Sequence, residues 1–164
     1  MSEQDLRKQL YSEIKNRAMI YHHVFSELRN ELGEEKAKKI LGRAIYRRGL
    51  EMAGGLIQYA PADMDGIKQA IFTSPMDEGQ MFQAEVLRCD SAGLDLKCHR
   101  CPLVEAWKEA DLTDSETANL CQMAAQVDYG IFEGAGVEFS VETWEPGKMG
   151  VCIMHIRPRK GGNQ

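Results

Sequence analysis

Apolar residues recur every third or fourth position through the first third of the chain. From about Glu3 to Leu32 they are Leu6, Leu10, Ile14, Ala18, Tyr21, Phe25, Leu28 and Leu32, the stripe of one long amphipathic helix. Gly33 is suited to cap it. A second helix is predicted from Glu34 to Met52, with Ala37, Leu41, Ala44, Ile45 and Met52 turned inward. Gly54-Gly55 ends it; no strand precedes this pair and no Gly-Lys-Ser/Thr follows, so it is a break and not a phosphate loop. Asp63 to Phe72 forms a third, short helix closed by Ser74-Pro75.

After Gly79 the period drops to two. Phe82, Ala84 and Val86 alternate with polar residues, Asp90-Ser-Ala-Gly93 has turn chemistry, and Leu94 to Cys98 returns as a second strand. Pro102 to Ala110 is a short helix. Thr113-Asp-Ser-Glu116 carries the capping-box spacing, and one helix is expected from there to about Phe132, stopped by Gly134 and Gly136. Val137, Phe139 and Val141 alternate again. Pro146-Gly147 turns the chain, and Val151 to Ile156 is apolar on both parities. The order predicts an α+β fold: N-terminal helices packed on an antiparallel sheet of about four strands, made of two hairpins separated by two helices. Residues 1–158 are expected to form a single domain and 159–164 a disordered tail.

Composition adds limits. With 164 residues, 43% hydrophobic, the chain can bury a core of its own. A net charge of −5 argues against nucleic acid or an anionic membrane as partner. Arg43, Arg47 and Arg48 are flanked by Glu34, Glu35 and Glu51, which makes a solvated face. No apolar stretch reaches the length of a membrane span, and the N-terminus lacks a signal-peptide pattern. The five cysteines are an odd number, so reduced thiols in a cytoplasmic protein are expected. The wide stripe of the first helix fits burial against a second copy, as a homo-oligomer, as well as a core role.

The chemistry gathers at Leu96-Lys-Cys98-His99-Arg-Cys101-Pro102, where a strand ends and a helix begins. Strand parity turns Cys98 toward the core with Leu94 and Leu96, and His99 to the opposite side. Proline favours the first helical position, so Cys101 is the expected N-cap, where the helix dipole and free amides favour a thiolate. The alternatives are an inert buried thiol, or zinc at Cys98, Cys101 and Cys121, although Cys98-x-x-Cys101 has no second such pair. On a continuous helix Cys121 and Asp128 share a face, ~10 Å apart along the axis. A carboxylate beside an apolar stripe is paired, neutral or functional, so Asp128 is a candidate base and Glu105 a weaker one.

Cys101-Pro-Leu-Val-Glu-Ala-Trp107, followed by Leu120-Cys121, Asp128 and a late hairpin with Cys152, resembles the L-2-amino-thiazoline-4-carboxylic acid hydrolase family. Glu31 to Glu35 fits the same pattern more loosely. The resemblance implies hydrolytic opening of a cyclic isothiourea at a carbon–nitrogen bond, giving a carbamoyl-cysteine, with no cofactor. Cys101 would be the nucleophile, Asp128 its acidic partner, and His99 or Glu105 would shuttle protons. Cys98, Trp107, Cys121, Phe132, Phe139 and Cys152 would line the small-molecule substrate. The glycine-rich late hairpin is also similar, more distantly, to the binding domain named after 4-vinyl reductase. That leaves a non-catalytic binding or sensor domain as the alternative.

Overall fold

The computed structural model describes residues 2–73 and 80–160; the expected Ser74-Pro75 helix stop and the last four residues of the expected tail lie outside them. Helix α1 spans Glu3–Leu32 and α2 Glu34–Met52, with Gly33 between them at φ 82°. The first turn of α1 is closed by a Ser2–Asp5 capping box, which satisfies amides that would otherwise lack partners. Only the middle of the predicted stripe is covered: Ile14, Ala18 and Phe25 are buried, whereas Leu6, Leu10 and Leu32 are exposed. A helix of 30 residues, ~45 Å long, overhangs the body it packs on.

Helix α3 (Met64–Phe72) starts at Asp63, whose carboxylate accepts from the Gly66 amide. Strands β1 (Ala84–Asp90) and β2 (Gly93–Cys98) form the first hairpin, tightened by Asp90 accepting from the Ala92 and Gly93 amides. The register of β1 slips between Val86 and Arg88, a bulge on an edge strand. Helix α4 is Pro102–Glu109, and the second hairpin is β3 (Glu138–Glu142) with β4 (Cys152–Arg157). The hairpins join through β2 and β4 into one antiparallel sheet, ordered β1-β2-β4-β3. The α+β architecture therefore stands, with helices on one face and two hairpins side by side.

One expectation is corrected. The stretch from Thr113 is two helices, α5 (Asp114–Ala124) and α6 (Gln126–Ala135), joined by a turn at Ala125. The capping box does open α5: Thr113 and Glu116 exchange side-chain and backbone bonds. The break follows from the two helices serving different cores. Leu120 and Met123 of α5 join Ile14, Phe25, Leu41 and Trp107 beneath α1 and α4. Phe132 and Ala135 of α6 join Ile67, Leu94, Leu96, Phe139 and Ile156 against the sheet. No straight helix presents its apolar stripe to both. The Asp128 amide bonds to the Ala125 carbonyl at 3.1 Å, an i to i−3 contact that tightens the turn.

Parity fixes what each sheet face carries. Leu94–Ile156–Phe139 and Leu96–Met154–Val141 form cross-strand rows toward the helices, and Cys98 stands opposite Cys152 at the end of the same face. The other face is polar. There Asp95 meets His155 at 2.7 Å and Arg157 at 2.6 Å, His155 reaches Glu142 at 3.1 Å, and His99 pairs with Glu85 at 2.6 Å.

Candidate functional site

Four cysteines converge where β2 ends. Cys98 is the last residue of β2, and Cys152, its cross-strand partner, is the first of β4. Cys101 caps α4 with extended backbone (φ −148°, ψ 118°) and Pro102 follows as the first helical residue, as Cys-Pro predicts. Cys121 comes from the middle of α5, and Asp128 stands in the first turn of α6. Charge on Cys101 is felt at Cys121, and charge on Cys152 at both; Asp128 acts on Cys101 and Cys152. These five residues share one neighbourhood.

Burial within it is graded. Cys98 and Cys121 are buried and form its floor. Cys101, Cys152 and Asp128 keep part of their surface accessible although protein crowds them closely. The loop between β3 and β4 runs beside this neighbourhood: the Val151 amide donates to the Cys98 carbonyl at 2.8 Å, and Trp144 lies under the Lys108 ammonium, 4.5 Å from the ring centre.

Electrostatics overturn the expected thiolate. The Cys101 thiol faces the Leu103 and Val104 amides, which favour its charged form, but it makes no full side-chain cap hydrogen bond. Burial dominates and pushes Cys101 up to about 11. Burial, with neighbouring Cys101 and Cys152, raises Cys121 as well, and contact with Cys98 plus burial raises Cys152 further. The resting site holds thiols. Burial also pushes the Asp128 carboxyl up, to about 7, with Arg17 pulling the other way.

The shift on Asp128 has a stability consequence with a definite sign. A carboxyl that ionises near 7 when folded and near 3.8 when unfolded binds protons more strongly in the native state. Its penalty is absent below about pH 4, grows as pH rises, and levels off above 7 at roughly 4 kcal/mol. Asp128→Asn, neutral throughout, should therefore be a few kcal/mol more stable than the parent at pH 8, with the gap closing toward pH 4. Urea unfolding at pH 4.5, 6 and 8 measures this; parallel curves for the two proteins would exclude a buried carboxyl.

Several predicted site residues lie elsewhere. His99 pairs with Glu85 on the polar face of the sheet, as strand parity requires, and so points away from the thiols. Glu105 is held by Arg100 (2.6 Å), the Tyr11 hydroxyl (2.6 Å) and Lys15 (3.8 Å). Burial opposes its charge, but these partners keep its carboxyl below the usual range, so it stays ionised and engaged. Phe132 and Phe139 stack 4.7 Å apart in the sheet core, with Tyr129 edge-on to Phe139. Trp107 is fully buried and donates from Nε1 to the Ala18 carbonyl at 2.9 Å, which pins α4 to α1. Among the described residues, no three His, Cys, Asp or Glu side chains are disposed to hold a metal ion.

Sequence reasoning missed Arg17 and Thr117. Among the described residues, Arg17 Nε and Thr117 Oγ1 are the buried side-chain polar atoms without a hydrogen-bond partner. Arg17 lies on α1 beside Ala18, where Trp107 docks, and its charge reaches Asp128. Thr117 stands one turn before Cys121 on α5. Neither sits in a motif; only their isolation in the folded protein singles them out.

A family model described as L-2-amino-thiazoline-4-carboxylic acid hydrolase matches residues 11–150. No curated protein matches the chain. The matched span holds Arg17, Cys98, Cys101, Cys121 and Asp128 and stops just short of Cys152. Since it takes in most of the chain, this protein belongs to the L-2-amino-thiazoline-4-carboxylic acid hydrolase family.

Proposed function

We propose that the protein hydrolyses the carbon–nitrogen bond of a cyclic isothiourea, with Cys101 as nucleophile and Asp128 as its base. The observation that carries this reading is a thiol and a carboxyl whose proton affinities suit proton transfer at neutral pH: Asp128 at about 7 beside Cys101 at about 11. A carboxyl of that kind accepts a proton near neutrality and returns it. A cationic amidine bound between them would favour both the thiolate and the carboxylate by Coulomb attraction.

The steps then balance. Cys101 Sγ attacks the amidine carbon while Asp128 takes the thiol proton. The tetrahedral adduct breaks the ring carbon–nitrogen bond, and Asp128 returns that proton to the departing amine. Water attacks the resulting thioimidate carbon, again deprotonated by Asp128, and the adduct expels Cys101, which recovers its proton. The sum is substrate plus one water giving an S-carbamoyl thioether with a free amine. Glu105 and His99 take no part, because each is engaged with partners of its own.

The test is ring opening of 2-amino-thiazoline-4-carboxylate followed by chromatography, with kcat/KM measured across pH. Asp128 must be ionised to accept the thiol proton, so kcat/KM should rise with pH, bend near 7 and then stay level. Recovery of the ring unchanged after binding would replace this reading with a binding or sensor role. A rate that falls with pH through 7 would remove Asp128 as the base.

A further inference from the structure

Helix α1 leaves a second line of apolar residues uncovered. Leu6, Leu10, Ile20 and Val24 are between 37% and 53% exposed, and the exposed Glu13 and half-buried Arg17 lie between them. The steps along Leu6, Leu10, Glu13, Arg17, Ile20 and Val24 run four, three, four, three, four, which keeps all six on one seam of the helix. That seam is ~27 Å long and is turned roughly 100° from the face of Ile14, Ala18 and Phe25 that packs on the core. Glu13 and Arg17 stand one turn apart in the order that favours an ion pair within a helix. Among the described residues neither makes a hydrogen bond or an ion pair, and Arg17 Nε is closed to solvent with nothing to bond. The Arg17 charge is felt at Asp128, but no bond joins the two.

We infer that two copies of this chain pair through α1, as an antiparallel helix pair along the seam of Leu6, Leu10, Glu13, Arg17, Ile20 and Val24. The spacing of the seam reads the same in reverse. About a two-fold axis at Lys15, Leu6 meets Val24 of the other copy, Leu10 meets Ile20, and Glu13 meets Arg17, each contact occurring twice. Apolar residues therefore fall on apolar ones and each charge on its opposite. The two central ion pairs lie between apolar pairs that shield them from water, where a guanidinium–carboxylate contact is stronger than at an open surface. Sliding one copy by about seven residues sets each charge against an apolar side chain, so the ion pairs also fix the register. Helices meeting on a seam of this spacing cross at about 20°, with axes about 8–10 Å apart. The reversal symmetry is what singles out a second copy, because an unrelated partner places no such demand on the spacing. A membrane surface fits poorly: Glu13 interrupts the seam, and the exposed Gln9, Asn16 and Glu27 border it.

Sedimentation equilibrium of the full chain without substrate tests this, over a concentration series reaching ~10⁻⁴ M. The parent should form a species of twice the 18.5 kDa of one chain. Glu13→Arg and Arg17→Glu each set like charges opposite one another at both central contacts, and each should weaken pairing by about 10²-fold or more. Mixed together, the two single variants present opposite charges again and should recover the dimer, as should the double variant by itself. Ile20→Asp, at an exposed position that the fold does not use, should give the monomer, whereas Leu87→Asp, as exposed but on β1, should leave the dimer intact. A parent that stays monomeric overturns the pairing. So does a dimer that survives Ile20→Asp or is lost in Leu87→Asp, or single variants that are folded by circular dichroism yet stay apart on mixing. Should Arg17→Glu fail to fold, Glu13→Arg and Ile20→Asp still decide.

Discussion

Cys101→Ser lowers kcat/KM for ring opening by about 10³-fold or more while leaving the fold intact. The substitution is nearly isosteric, and the position asks little of the side chain: Cys101 is half-buried, caps α4 without a full side-chain hydrogen bond, and Pro102 sets the start of the helix. Stability should therefore change by less than about 1 kcal/mol, a serine being a good N-cap. Chemistry changes far more. A serine hydroxyl loses its proton much less readily than a thiol, and Asp128 at about 7 is too weak a base to make up the difference. Because thiol and carboxyl act as a unit, Cys101→Ser with Asp128→Asn should be scarcely worse than the worse single variant. Steady-state kinetics on the three variants measure this. Full activity in Cys101→Ser with none in Asp128→Asn would mean that Asp128 activates water directly.

The second large effect is on the fold, at the crossing of α2 and α6. A Cβ on Gly130 would stand 2.2 Å from the Tyr46 carbonyl oxygen and 2.8 Å from the Gly49 Cα. One on Gly49 would stand 2.2 Å from the Val127 carbonyl oxygen. Both obstacles are backbone, so no side chain can swing aside. At this point the two backbones meet directly, and either glycine replaced by alanine forces the helices apart. Gly130→Ala or Gly49→Ala should lose about 3 kcal/mol or more, near the upper end for overpacking. The double variant should lose less than the sum, because one separation relieves both clashes. Gly54→Ala is the control: nothing lies within 4 Å of its Cβ, and stability should hold or rise slightly. Urea midpoints decide the matter, and an unchanged midpoint in Gly130→Ala would refute the close crossing. The same contact bears on the site, since Gly130 lies two residues beyond Asp128 on the first turns of α6.

Much of the fold was legible because its signals are local. Gly33 marks the junction of α1 and α2, the Thr113–Glu116 capping box opens α5, and Cys-Pro opens α4. Each is a contact within four residues, so sequence contains the whole of it. Alternation marked the earlier strands and an apolar run on both parities the last one, for the same reason, and strand parity correctly sent Cys98 inward and His99 outward. The choice of His99 as a proton shuttle set that parity aside, and the structure sides with the parity.

What the sequence determined by itself is thus the set of elements, their order, and the placement of Cys101 at a helix start. Tertiary structure alone decided the rest, because burial and pairing are set by residues far apart in the chain. It broke the helix at Ala125, where Ala-Ala-Gln holds no breaker, since α5 and α6 face different cores. It put Cys98 opposite Cys152, and it moved Phe132 and Phe139 into the sheet core. It kept the Cys101 proton in place, since the helix amides act over one turn while the desolvation that outweighs them comes from the surrounding elements. And it left Arg17 unpaired, a property that no window of sequence can display.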